Sequence, residues 1–131
     1  LKIGKLKTKD YDFVFNDLKS IADLSKNHLC TSKVILETCL LSDEEKVAAC
    51  LLAKKAGLNF VKTSTGFSKG GATTHDISLM KFVVGDKLKV KASGGIRSYE
   101  DAIAMINSGA TRLGASAGVK IISGQQSESN Y

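Results

Sequence analysis

Four short runs of branched and aliphatic residues punctuate the chain: Lys33-Val34-Ile35-Leu36-Glu37, Asn59-Phe60-Val61-Lys62, Leu88-Lys89-Val90-Lys91 and Thr111-Arg112-Leu113-Gly114. They begin at residues 33, 59, 88 and 111, so one returns every 23 to 29 residues. That interval holds a strand, a helix and two short loops. A strand that returns after so long a connection lies parallel to its predecessor. The recurrence therefore predicts an α/β fold built on a parallel sheet.

The intervening segments carry helix punctuation. Asp10 is placed to cap a helix whose apolar residues Val14, Leu18, Ile21 and Ala22 recur at helical spacing. Ser42 and Glu45 form a capping-box pattern, and Gly57 stands where that helix should stop. Thr74 is the expected cap of a helix ending at Gly85. Ser98 with Asp101 opens the next, closed by Gly109, and a short last helix should start near Ser116. The leading Leu1-Lys2-Ile3-Gly4 reads as the tail of an earlier strand. The chain has 131 residues and begins at Leu1. It is about half of the roughly 250 residues of a closed (β/α)₈ barrel. A fragment, a missing start and a processed chain all read this way. The expected organisation is one unit over residues 1–122 and a tail over 123–131.

Composition narrows the functional classes. With 43% hydrophobic and 24% charged residues, the chain has ordinary globular composition. Its apolar runs are too short to span a bilayer, and no signal segment opens it. Cys30, Cys39 and Cys50 make neither a CxxC pair nor an even framework, the pattern of reduced thiols in a cytoplasmic protein. The formal charge of +6 fits an anionic partner. The lysines are scattered and aromatics make up only 6%, which points to an anionic metabolite rather than nucleic acid. His28 and His75 have no partner at ligand or triad spacing, and Asp43-Glu44-Glu45 reads as an acidic first helical turn.

Strand parity locates candidate chemistry. Val34, Leu36 and Val90 suit the helix-covered face, which sends Lys33, Ile35, Glu37, Lys89 and Lys91 to the other side. Chemistry in parallel folds gathers at the strand C-termini, where three segments stand out. They are Val61-Lys62-Thr63-Ser64-Thr65-Gly66, Val90-Lys91-Ala92-Ser93-Gly94-Gly95-Ile96-Arg97 and Gly114-Ala115-Ser116-Ala117-Gly118. A free lysine, with a pKa of about 10.4, is protonated at neutral pH and cannot attack a carbonyl. Two lysines at one height on adjacent strands stand roughly 5 Å apart at the backbone. Their repulsion favours loss of one proton, leaving an amine nucleophile beside a cation. Lys62 and Lys91 fit if their strands are neighbours; otherwise they are two lysines snorkelling from a sheet edge. Gly94-Gly95 and Gly114 through Gly118 allow close backbone approach, and each leads into a helix start that favours phosphate. Any one of them alone reads equally as a tight turn.

These three segments closely resemble the last three strand-end motifs of the deoxyribose-phosphate aldolases, and Lys33-Val34-Ile35-Leu36-Glu37-Thr38 resembles the strand before them. The likeness runs from about Gly4 to Ile122. It implies a parallel (β/α) TIM-barrel type fold, here about half a barrel, from the end of strand 4 through helix 8. The implied reaction is reversible cleavage of 2-deoxyribose 5-phosphate to glyceraldehyde 3-phosphate and acetaldehyde, with no cofactor and no metal. Lys62 would form the Schiff base, and Lys91 would keep that amine available and help move protons. Lys33, Glu37 and Thr63 would support the pocket. Thr65, Gly66, Gly94, Gly95, Arg97, Gly114 and Ser116 would hold the phosphate. Tyr131 would fold over the substrate, as a terminal tyrosine does in some members, unless it is only a loose tail.

Departures from the family pattern are informative. The family's acid/base aspartate lies on a strand upstream of Leu1. Phe67 stands where some members have lysine, and Lys89 where relatives commonly have glycine. A second expectation therefore stands beside the first: a catalytically silent half-barrel that keeps an anion site and associates through its sheet edges. Four strands cannot close a barrel, so a homodimer or higher oligomer is expected.

Overall fold

The computed structural model describes residues 1–124. Eleven elements follow in order: α1 (Ile3–Lys7), α2 (Tyr11–Asn27), β1 (Lys33–Ile35), a 3₁₀ turn (Thr38–Leu40), α3 (Asp43–Ala56), β2 (Phe60–Lys62), α4 (Thr74–Val84), β3 (Lys89–Ser93), α5 (Tyr99–Asn107), β4 (Arg112–Gly114) and α6 (Gly118–Ile122). The four strands form one parallel sheet in the order β1-β2-β3-β4. Sequential parallel order with a helix in each crossover is the architecture of half a (β/α)₈ barrel.

One face of the sheet is buried and the other is not. Val34, Val61, Val90 and Ala92 pack with Ala49, Ala53, Ile77, Met80, Ala102 and Met105 from the helices into a continuous apolar core. The alternate residues Lys33, Lys89 and Arg112 are exposed. Burying one such aliphatic side chain contributes about 1.5–3 kcal/mol. The two-residue period therefore fixes which face takes the helices.

Most of the expected punctuation is present. Asp10 accepts from the Phe13 amide, and Ser42 with Glu45 and Ser98 with Asp101 form complete capping boxes. Gly57 ends α3 at φ 84°, and Gly85 caps α4. Gly109 follows the Ser108 cap of α5 with φ 114°.

Four local expectations need correction. Residues 1–4 are not the end of a strand: Ile3–Lys7 is helical, because Leu6 stands one turn after Ile3 and buries fully against the core. The Leu1 amine donates to the Ile35 carbonyl at 3.3 Å. The α4 cap is Thr73 rather than Thr74, since its hydroxyl accepts from the Asp76 amide at 3.0 Å. The first strand stops at Ile35 because Glu37 turns left-handed, with φ 44°. The last helix starts at Gly118, two residues later than Ser116. Of the expected tail, residues 125–131, Tyr131 among them, lie outside the described residues.

Candidate active site

β2 and β3 are neighbours, and their register sets Lys62 directly beside Lys91. The same rung continues to Ile35 on β1 and Arg112 on β4. Both lysines are half-buried and project to the face that lacks helices. Just past the lysines, Thr63 locks the pair of strands: its hydroxyl donates to the Ser93 carbonyl at 3.1 Å and accepts from the Ser93 amide at 3.0 Å. The Ser93 hydroxyl in turn donates to the Ser64 carbonyl at 2.6 Å.

Above the lysines opens a cavity of about 200 Å³, lined by Lys62, Thr65, Gly66, Ser93, Gly94, Gly95, Ile96, Gly114, Ala115 and Ser116. Gly94 and Gly95 both hold positive φ, at 79° and 76°, a conformation that side chains rarely adopt. The wall is therefore mainly backbone and small side chains around one amine, suited to an anion tied to a carbonyl compound.

Lys91 is not on the wall. Its side chain runs along Gly114, where an added Cβ would lie 3.2 Å from its Cε and 3.7 Å from its Nζ. Burial lowers the Lys91 pKa from its ordinary value, and the charges of Lys62, Lys33 and Arg112 add to that effect.

The remaining expected residues are spread more widely. Glu37 is buried and reaches the cavity through Thr65: its carboxylate accepts from the Thr65 hydroxyl at 2.5 Å and the Thr65 amide at 3.3 Å. Lys33 stands two rungs below Lys62, at the level of Phe60, exposed and 5.8 Å from that ring. Thr63 points away from the cavity and is fully buried, so its role is to hold β2 on β3 rather than to line the pocket. Arg97 lines an adjoining hollow that shares Gly66, Gly94 and Gly95 with the cavity. Ser93, Ile96 and Ala115 line the cavity without having been expected as site residues. Parity could have found Ser93, two residues after Lys91 on the same strand; Ile96 and Ala115 carried no such signal.

Away from this site, His75 has a partner that sequence spacing did not reveal. Its Nε2 lies 2.7 Å from Asp43, whose other oxygen accepts from Lys46 at 2.9 Å. Lys46 also donates to buried Asp76 at 2.7 Å, tying α3 to the first turn of α4. That cation already occupies the space between the carboxylates.

No protein-family model matches the chain. Individual relatives do. A deoxyribose-phosphate aldolase of Clostridium perfringens strain 13 is 59% identical over all 131 residues, and one of Streptococcus sanguinis is 56% identical. The crystal structure of a protein assigned as a deoxyribose-phosphate aldolase from Coccidioides immitis superposes on 94% of the chain with a TM-score of 0.89 and 44% identity. By sequence and by fold, the whole chain is similar to part of the deoxyribose-phosphate aldolases. It spans 58% and 59% of the two relatives' lengths, and 49% of the Coccidioides chain. A second solved aldolase, QR15, matches 92% of the chain with a TM-score of 0.85, and 54% of its own length is covered. The aldolase from Aeropyrum pernix, 33% identical and matched over 83% of the chain, is a tetramer. Among the described residues no helix is long and apolar enough to cross a membrane.

Proposed function

We propose that this chain carries the Schiff-base centre of a deoxyribose-phosphate aldolase. The reading rests on one observation above all: Lys62 and Lys91 stand in register on neighbouring strands, beneath a cavity walled by Gly66, Gly94, Gly95 and Gly114. In this reading the neutral Lys62 amine attacks the aldehyde carbon of open-chain 2-deoxyribose 5-phosphate, and loss of water gives an iminium. Cleavage of the C2–C3 bond sends its electron pair into the iminium, which becomes an enamine. The C3 hydroxyl gives up its proton, and C3 leaves as the aldehyde of glyceraldehyde 3-phosphate. Protonation of the enamine carbon and hydrolysis then release acetaldehyde and restore the amine. The iminium is itself the electron sink, so the sequence of steps calls on no metal or cofactor.

Lys91 is the group at hand to exchange protons with the Lys62 adduct. The phosphate rests on backbone N–H groups of Gly66, Gly94, Gly95 and Ser116, with Thr65 beside them. The protein is proposed to act in the cytoplasm as a homodimer or higher oligomer, joined through the β1 and β4 edges. The competing reading, an anion-binding half-barrel without turnover, draws on the uncovered face of the same sheet.

Borohydride reduction in the presence of deoxyribose 5-phosphate or acetaldehyde, followed by peptide mass mapping, tests the proposal. An adduct on Lys62, abolished by Lys62→Met, is expected. An adduct elsewhere, or none while phosphate still binds, favours the silent half-barrel. Light scattering gives the oligomeric state, and a monomer without turnover supports the same alternative.

A further inference from the structure

Beneath the two lysines lies an aromatic ring that the core does not use. Phe60 is only 4% exposed, yet it is absent from the apolar cluster between sheet and helices. Its neighbour Val61 faces the helices, so the period of the strand turns Phe60 to the opposite side. What covers it there is charge. The Arg112 guanidinium sits 4.5 Å from the ring centre, and the Lys33 ammonium 5.8 Å from it.

The register makes the route of Arg112 specific. Phe60 on β2 pairs with Lys89 on β3, whereas Arg112 on β4 pairs with Lys91. From β4 its guanidinium reaches across β3 to a ring on β2 that lies at the level of Lys89, two residues below its own rung. Lys91 takes the opposite direction, upward along Gly114. Among the described residues no carboxylate pairs with Arg112.

We propose that Arg112, seated on Phe60, is a positioning residue for Lys91: a fixed cation under the pocket that keeps this side chain directed along Gly114 and disfavours its charge. A guanidinium does not shed its proton in a protein, so its repulsion persists at every working pH. The other cations facing Lys91 are Lys62 on β2, Lys33 on β1 and Lys89 on its own strand, and a lysine relieves such repulsion by losing a proton itself. The acid at the top of this face, Glu37, is engaged by Thr65. Stacking on Phe60 supplies the fixed seat, as a cation over an aromatic face. The lowered pKa of Lys91, to which Arg112 contributes after burial, Lys62 and Lys33, agrees with this geometry. The use of Lys91 in proton transfer rests on the aldolase reading; the positioning itself does not.

The test is a pH titration of the lysine side chains by carbon-13 NMR on the intact chain, with Lys91 assigned through Lys91→Arg. Arg112→Gln should raise the Lys91 midpoint and so lower its neutral fraction at a given pH. Arg112→Lys should rescue most of the shift, and Phe60→Leu, which frees the guanidinium but keeps its charge, should fall between. An unchanged midpoint in folded Arg112→Gln overturns the proposal. If that variant does not fold, an unchanged midpoint in Phe60→Leu overturns it instead. Borohydride trapping keeps the two ideas apart. A shifted midpoint without a Lys62 adduct sinks the aldolase reading alone, and an adduct without a shift sinks the positioning role alone.

Discussion

Thr63 and Ser93 close a reciprocal pair across β2 and β3, with hydroxyl to carbonyl at 3.1 Å and amide to hydroxyl at 3.0 Å, one residue past Lys62 and two past Lys91. Both residues are buried. The pair extends the ladder that sets the two lysines at one height. Replacing Thr63 by valine keeps the shape but leaves the Ser93 amide without its acceptor. An unmatched buried donor costs about 1–3 kcal/mol. Thr63→Val should lower unfolding stability by about 2 kcal/mol, read from the urea midpoint at unchanged slope.

Gly71 and Gly4 should respond oppositely to the same substitution. A Cβ on Gly71 would fall 2.4 Å from the carbonyl carbon and oxygen of Gly94, backbone that cannot step aside. The neighbouring Ala72 amide donates to Ser93 and Gly94 carbonyls at 3.1 and 2.9 Å, so the strain would reach the cavity wall. Gly71→Ala should destabilise by about 1–3 kcal/mol and weaken inorganic phosphate binding measured by calorimetry. A Cβ on Gly4, inside α1, meets nothing within 4 Å. Gly4→Ala should therefore stabilise by about 0.5–1 kcal/mol, through helix propensity alone.

Lys46 and Asp76 form a buried ion pair at 2.7 Å, with side chains 10% and 7% exposed. Burial works to lower the Lys46 pKa, but Asp76 and Asp43 more than offset it, and the net shift is upward. Removing one partner from such a pair leaves a charge that is costly to bury. Asp76→Ala should cost about 3 kcal/mol by chemical denaturation. Asp43→Ala, at the exposed end of the same lysine, should cost clearly less.

Asp43 supplies the acid-side prediction. The Lys46 ammonium and then the His75 ring hold its carboxyl below the ordinary value of 3.8. A carboxylate with a lowered folded pKa contributes stability that is complete above its unfolded value and is lost as pH falls through the folded one. The melting temperature should therefore fall more steeply below pH 3.8 in the unaltered chain than in Asp43→Asn. Equal slopes in both would remove the ion pair from the account of acid unfolding.

Much of this molecule was legible along the chain because its signals are local. The capping boxes at Ser42 and Ser98 need only three residues of spacing, and the alternation at Lys89-Val90-Lys91 needs only one strand. The return of a strand every 23 to 29 residues carried the parallel order. Where local patterns conflict, the reading failed: Leu1-Lys2-Ile3-Gly4 looks extended until Leu6 is seen to need a helical turn to reach the core.

Sequence alone determined the α/β class, the helix-covered face of the first and third strands and the lysine-bearing, glycine-rich strand ends, because propensity, capping and period act within a few residues. Only the tertiary structure decided that Lys62 meets Lys91 on one rung, that Thr63 pins strands instead of lining the pocket, and that Arg97 belongs to a neighbouring hollow. It alone carried Arg112 from β4 onto Phe60 of β2. These depend on strand register and on the path of long side chains across neighbouring strands. Both are settled by packing between residues about 20 to 50 positions apart, a distance at which the chain's own pattern exerts no local constraint.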